Sequence, residues 1–351
     1  MAEFAYEPEP ELSLGPGERA EAVAGQSPWR LAARRLWRNR VAMAGLVLFL
    51  LIVLVSFLAP VYANHIAHTD ALQPNVNGTT VVNGKTVEVI QQGGGPLGLG
   101  ENPIGPTWQT NYFIGADQNG RDVAARVLYG GRSSLLIGIG SALIACLIAT
   151  IIGLIAGFFR GLTDSALSRL MDLIWAFPVY LLAITLSTVL LTTNGLQWGP
   201  IHLDASSLWI PTIIIGVIYV PYVMRPVRGQ VLSVREKEFV DAAIAQGASN
   251  WRLVFSEILP NIITAVIVLL PLMIATTILT EAALSYLSIG VQPPNASWGT
   301  IIQDGQALLY TRPWVAIAPG IMIVLTVLSL NLLGDGVRDA LDPRAKVRLR
   351  K

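Results

Sequence analysis

Six apolar stretches free of Asp, Glu, Lys and Arg run through this chain: Val41–Ala63, Ser133–Phe159, Leu173–Thr193, Leu208–Met224, Ile262–Thr280 and Trp314–Leu333. A bilayer core of about 30 Å takes roughly 20 such residues per helix. Lipid offers no partner to backbone amides, so a spanning stretch of this kind must be helical. The composition agrees. Soluble domains carry about 25% charged residues, whereas this chain of 351 residues carries 13% and is 53% hydrophobic. The fourth stretch is the shortest and holds Pro211 and Pro221, which membrane helices tolerate near their ends or where a neighbour packs.

The net charge of +1 gives no reason to expect nucleic acid as a partner. The placement of the charges is more informative. Arg19, Arg30, Arg34, Arg35, Arg38 and Arg40 precede the first stretch, and Arg160 and Arg169 lie between the second and third. Arg225, Arg228, Arg235, Lys237 and Arg252 lie between the fourth and fifth, and six more basic residues follow the sixth. These connections fall on one side of six crossings, and the positive-inside rule makes that side cytoplasmic, with both termini. The expected localisation is the cell inner (plasma) membrane. Cys146 is the sole cysteine, so no disulfide forms within the chain.

Residues 1–27 are acidic, proline-containing and poor in apolar side chains, and are expected to be disordered rather than a signal peptide. Residues 28–40 read PWRLAARRLWRNR. At helical spacing Arg30, Arg34 and Arg38 share one face, with Trp29, Ala33, Leu36 and Trp37 towards another. That pattern suits a helix lying against membrane lipid at headgroup level; a solvated basic flank is the plainer alternative. The first transmembrane helix is expected over 41–63 and an outside loop over 64–132. A core of five further helices is expected over 133–335, and a basic tail over 336–351. Within the outside loop, Asn83-Gly84 between two β-branched runs predicts a β-hairpin over Thr80–Ile90. The insertion around it, residues 75–100, shows no chemistry, and its replacement by a short Gly-Ser linker is expected to leave transport at least partly active.

Other patterns are weak. Gly84-Lys85-Thr86 lacks the glycine that a phosphate-binding loop needs, since position 79 is threonine. Asn77-Gly78-Thr79 and Asn295-Ala296-Ser297 fit a glycosylation pattern that is frequent by chance. His65 and His68 lack a nearby third ligand. No metal site, cofactor or catalytic residue is expected, and with three histidines in the chain no hydrolase triad suggests itself.

The polar segment with most to say is Glu238–Asn261, EFVDAAIAQGASNWRLVFSEILPN, which by the placement above is a cytoplasmic loop. Phe239, Ala242, Ala243 and Gln246 define one face of a short amphipathic helix, of the kind that docks in a partner's groove. Gly247 takes positive φ without strain and ends it. A second helical stretch, Asn250–Ile258, leads to Pro260 in the first turn of the fifth span. An ordinary loop helix covering the bundle base is the alternative.

Asp241-Ala242-Ala243, Gly247 and Leu259-Pro260 resemble the EAA motif of ABC importer permeases. Three more segments resemble the second permease subunit of dipeptide, oligopeptide and nickel importers of that family: Ile114–Leu135, Gly290–Gly305 and Leu332–Arg344. The resemblance covers roughly residues 28–62 and 112–346. Two departures stand out: the motif's first Glu is Asp241, and the position of its isoleucine is taken by Glu257, with Ile258 beside it.

The resemblance implies an all-α integral membrane protein. Its six transmembrane helices would form the type I ABC importer permease fold, with a small β-hairpin insertion in the first outside loop. It implies half of a translocation pore completed by a homologous permease subunit, two ATP-binding cassette subunits inside and a solute-binding protein outside. ATP hydrolysis is expected in the partners, so the chain itself is not an enzyme. Coupling to the ATPases falls to the loop 236–261, on Glu238, Phe239, Asp241, Ala242, Ala243, Gly247, Ile258, Leu259 and Pro260. Di- or oligopeptides are the expected cargo, with nickel or another small solute as alternative. An ion-gradient-driven transporter and a non-transporting scaffold are the readings from other classes. Glu281, at the outer end of the fifth span where the resemblance places the outward gate, is the candidate pathway residue. A cargo contact, a gate hydrogen bond and a helix-end contact remain open for it.

Overall fold

A computed structural model describes residues 28–92, 101–193, 195–198 and 201–341. The acidic segment 1–27 and the end of the basic tail lie outside them. Four helices are long and apolar enough to cross a membrane, and two bent pairs bring the number to six if each pair is one span.

Helix α1 (Pro28–Arg38) forms where the amphipathic pattern predicts. Trp29, Ala33 and Trp37 are exposed, while Leu31, Ala32 and Leu36 are half-buried towards α2 (Arg40–Phe57) and the last helix, α11 (Trp314–Leu341). Asn39 caps α2, its side-chain oxygen accepting from the amides of Val41 and Ala42 at 3.1 Å.

The central helix α3 runs from Val123 to Phe159. It begins ten residues before the charge-free stretch Ser133–Phe159 and includes Arg126 and Arg132. Its 37 residues make it about 55 Å long, so it projects beyond a hydrocarbon layer of about 30 Å. Asp122 caps it: Oδ1 accepts from Ala125 N at 3.2 Å, and Oδ2 accepts from Tyr112 N at 2.9 Å and Thr69 Oγ1 at 3.0 Å. Burial holds this carboxyl above the usual carboxylate range, against the lowering effect of the bonds it accepts. Near its C-terminal end Gly153 and Gly157 let α7 (Val220–Arg235) approach closely: a Cβ on either would sit 2.8 or 2.7 Å from Val227 or Val231. Small residues four apart are the usual means of close contact between membrane helices.

The third and fourth spans are broken. Helix α4 (Gly161–Trp175) meets α5 (Val179–Thr192) at 85°, and α6 (Trp209–Ile218) meets α7 at 44°. The first break has a local cause. Pro178 disfavours helical backbone at Phe177 and supplies no amide to the ladder. Pro221, in the first turn of α7, supplies no amide to carry the ladder of α6 across Tyr219. Arg228 grips both Asp164 oxygens through its Nε and Nη2, at 2.5 and 2.6 Å, and Arg235 donates to the Phe158 carbonyl at 2.6 Å. The basic residues of this connection therefore tie α7 to α3 and α4 as well as setting charge asymmetry.

Helix α8 (Glu238–Ala245) leads through a short turn to α9 (Leu259–Tyr286). Beyond it, α10 (Trp298–Gly305) opens with a capping box between Ser297 and Thr300. Trp298 is fully buried; its amide donates to Ser134 Oγ at 3.1 Å and its indole to the Val127 carbonyl at 3.0 Å, docking α10 on α3.

Strands β1 (Thr79–Val82) and β2 (Lys85–Glu88) form the expected hairpin, with Asn83 at φ 51° and Gly84 at φ 77° in the turn. Two further pairs were not anticipated: β3 (Ile90–Gln92) with β4 (Glu101–Pro103), and β5 (Gly195–Trp198) with β6 (Ile201–Asp204). The insertion is built into its surroundings. Val89 packs with Ile104, Tyr112 and Ala116 in a small core. Asn75 donates through its backbone to Asn119 O at 2.8 Å and through its side chain to Tyr112 Oη at 2.9 Å. Excising residues 75–100 would remove Val89 and expose the rest of this core, which weighs against the partial tolerance expected of its replacement. Loss of monodisperse protein on size exclusion is the expected result, and a fully stable deletion would refute the packing argument.

Candidate coupling loop and the outer end of the bundle

The turn from α7 to α9 is shaped by a series of local devices. Lys237, with extended backbone (ψ 146°), enters α8. The acidic Glu238 and Asp241 fall in its first turn, where the helix dipole favours negative charge. Gly247 then stands at φ +79°. Ala248 N bonds to Ala243 O at 3.0 Å and Gly247 N to Ile244 O at 2.9 Å, the paired closure of a Schellman motif. Ser249 caps the next helical turn, Asn250–Arg252. Residues Leu253–Ile258 then widen into a π-turn, and Leu259 N reaches back to Val254 O. This register lets Pro260, which has no amide to contribute, enter α9 without breaking the helix. The loop thus runs without interruption into the fifth span.

The predicted site residues divide into two groups. Glu238, Phe239, Asp241, Ala242, Gln246, Gly247 and Pro260 are exposed. Ala243 and Leu259 are half-buried against the bundle core, and Ile258 is fully buried in it. Ile258 therefore anchors the loop from beneath. Val240, also fully buried, shares that role and was not foreseen. The exposed side carries apolar groups the sequence reading passed over: Ile244, 52% exposed, and Trp251 and Phe255, whose rings stack with centroids 5.6 Å apart. The four-residue spacing of Trp251 and Phe255 on a helical stretch was the available signal.

Glu281 is fully buried inside this chain. Ser285 Oγ donates to its Oε1 at 2.6 Å and itself accepts from Val291 N at 3.0 Å, closing the turn after α9. Of the three open roles this geometry supports the helix-end contact. Glu281→Gln, which keeps size and hydrogen bonding, is expected to leave uptake of amino-blocked and free peptides alike unchanged. A selective loss for free amino ends would point to cargo contact instead.

A cluster unremarked in the sequence lies at the same end of the bundle. Asp117, fully buried, accepts from Arg121 Nε at 2.8 Å and from Arg126 Nη1, and Asp304 of α10 accepts from Arg121 Nη2 at 2.9 Å and Arg126 Nη1 at 2.7 Å. The four side chains fasten the loop before α3 to α10. Among the described residues no group of three or more His, Cys, Asp or Glu side chains is placed to hold a metal ion.

Comparison with known proteins agrees with this architecture. Residues 149–347 match the model of the binding-protein-dependent transport system inner membrane component, and residues 27–75 that of the N-terminal TM domain of oligopeptide transport permease C. The dipeptide transport system permease protein DppC of Alkalihalophilus pseudofirmus is 35% identical over 97% of this chain and 96% of its own length. The oligopeptide transport system permease protein OppC of Bacillus subtilis is 35% identical over 91% of each chain. The glutathione transport system permease protein GsiD of Pectobacterium atrosepticum is 32% identical over 92% of this chain and 93% of its own length. In structure, the chain is similar to the MetNI methionine ABC transporter in an inward-facing conformation, with a TM-score of 0.50, 16% identity and coverage of 61% of this chain and 96% of that one. At that identity the likeness concerns the fold alone. Matched over most of its length, the chain belongs to the binding-protein-dependent transport system inner membrane component family, the membrane permeases of ABC transporters.

Proposed function

We propose that this chain forms half of the translocation pore of an ATP-driven importer of di- or oligopeptides. A homologous permease completes the pore, two ATP-binding cassette subunits bind at the loop 238–260, and a solute-binding protein delivers cargo outside. The observation that carries the reading is the rigid turn from α8 to α9, which presents Phe239, Ala242 and Gln246 on one side and anchors Val240 and Ile258 on the other. The names of the relatives support peptides as cargo. Nothing in the chain favours nickel, and family membership removes the ground for an ion-gradient mechanism or a mere scaffold.

The test is uptake by the co-expressed assembly of both permeases, the ATPases and the binding protein. Peptide accumulation should require ATP and survive collapse of the proton gradient. Accumulation that follows the gradient, or that nickel but no peptide supports, would overturn the reading.

Orientation is checked separately with single cysteines in a Cys146→Ser background. Asn83→Cys and Asn295→Cys should react with an impermeant thiol reagent added outside, and Asp241→Cys only after permeabilisation.

A further inference from the structure

The two helix breaks face each other. Ile174, Trp175, Phe177, Pro178, Tyr219 and Tyr222 line a cavity of about 260 Å³ between them. Trp175, the last residue of α4, is clamped by two residues one turn apart on α7. Its ring stacks on Tyr222 at 6.0 Å, and the Arg225 guanidinium lies 4.2 Å from its centroid. Arg225 also pairs with Asp172 at 2.7 Å. None of this is enclosed: Trp175, Phe177, Tyr180 and Tyr222 are 44–49% exposed, and the Asp172 and Arg225 side chains 61% and 48%. Ile218 and Tyr219 are buried, the Tyr219 hydroxyl 2.8 Å from that of Thr280 in α9.

The depth of this surface decides what can cover it. Helix α6 has 10 residues and α5 has 14, about 15 and 21 Å of helix on the outer side of the breaks. Both breaks therefore fall well inside a hydrocarbon layer of about 30 Å. Irregular backbone at that depth does not face lipid; the Asp172–Arg225 pair lies on the inner side of the breaks, towards the connections whose arginines mark them as cytoplasmic. What remains is a concave surface of aromatic rings with a few placed polar groups, the usual make-up of a ligand site, at interrupted helices, where transporters place their substrates.

We propose that this cleft is the cargo-facing wall of the passage and that Trp175, Phe177, Tyr222 and the Asp172–Arg225 pair contact a short zwitterionic peptide in transit. The ring faces receive side chains, and the ion pair offers one charge of each sign to the two ends of the peptide. The peptide character of the contact rests on the function proposed above; the exposure of the cleft to water does not.

Single cysteines at Phe177 and Tyr222, in a Cys146→Ser background and in the assembled complex, test this against Leu328→Cys on α11. The probe is a charged, water-borne methanethiosulfonate. Labelling of Phe177→Cys and Tyr222→Cys, none of Leu328→Cys, and loss of labelling during ATP-driven turnover with peptide-loaded binding protein are expected. Tyr180→Cys serves where either variant fails to assemble. Absence of labelling in a complex that still imports peptide overturns the inference and leaves the permease reading intact. Protection by another solute and by no peptide overturns the peptide contact together with the reading it rests on.

Discussion

Gly247→Val is expected to leave the protein inserted and assembled with its partners while peptide uptake and peptide-stimulated ATP hydrolysis fall by about 5–30-fold, the factor that one to two kcal/mol makes. The reasoning is conformational rather than steric. Gly247 stands at φ +79° with no heavy atom within 4 Å of where a Cβ would lie, so space is available. The cost lies in the left-handed backbone, about 1–2 kcal/mol for an ordinary residue, with a β-branched side chain least suited to it. Relieving that strain means giving up the bonds from Ala248 N to Ala243 O and Gly247 N to Ile244 O, and with them the angle between α8 and the turn into α9. Gly247→Asn separates the two effects, because asparagine visits this region readily; it should retain most of the uptake. Equal loss in both variants would mean that the glycine is needed for contact space on the partner, and unchanged uptake in Gly247→Val would remove the turn from the coupling path. ATPase activity of the purified complex, with and without loaded binding protein, provides the measurement.

The loop was legible because its determinants are local: a glycine after eight helical residues, a serine cap, and a proline entering the next helix. The spans were legible for a different reason, since a run of about 20 apolar residues sums many small preferences. Their limits were not. The charge-free criterion stopped the second span at Ser133 because Arg132 precedes it, yet the helix begins at Val123: the Arg132 guanidinium lies over the Phe57 and Tyr129 rings, and Arg126 is neutralised by Asp117 and Asp304. The 85° break at Trp175–Val179 was missed although Phe177-Pro178 carried its cause, for hydropathy reports burial in lipid and says nothing of direction. Glu281 shows the converse. Its position at the outer end of the fifth span was readable, but its enclosure by Ser285 and the turn at Val291 depends on contacts that no periodicity encodes. The exposed and buried halves of the coupling loop were confused in the same way at Ile258, whose place in the motif does not reveal that its side chain points into the bundle.

The other large effect is expected at the outer end. Asp117→Ala should destabilise the protein by about 3–5 kcal/mol, the range for removing one partner of a buried ion pair. Asp117 is fully buried and Arg126 is 3% exposed, so water does not replace the lost carboxylate around that guanidinium. The same carboxyl also holds its own loop, accepting from Asn119 N at 2.9 Å and Arg121 N at 3.0 Å. Asp304 differs. It is 33% exposed and its two arginine partners keep Asp117 when it is gone. Asp304→Ala should therefore cost about 1 kcal/mol or less, as for pairs that solvent reaches. Asp117→Asn belongs between them, since it preserves the shape and an acceptor for the loop amides but leaves Arg126 without a full countercharge inside. Thermal unfolding of the detergent-purified protein, followed by loss of the monodisperse peak, ranks the three. The order Asp117→Ala, Asp117→Asn, Asp304→Ala, from most to least damaging, is the signature of a buried cluster organised around one carboxylate. Equal losses for Asp117→Ala and Asp304→Ala would mean instead that the two carboxylates share the arginines evenly and that the fastening of α10 to the loop before α3 is the larger contribution.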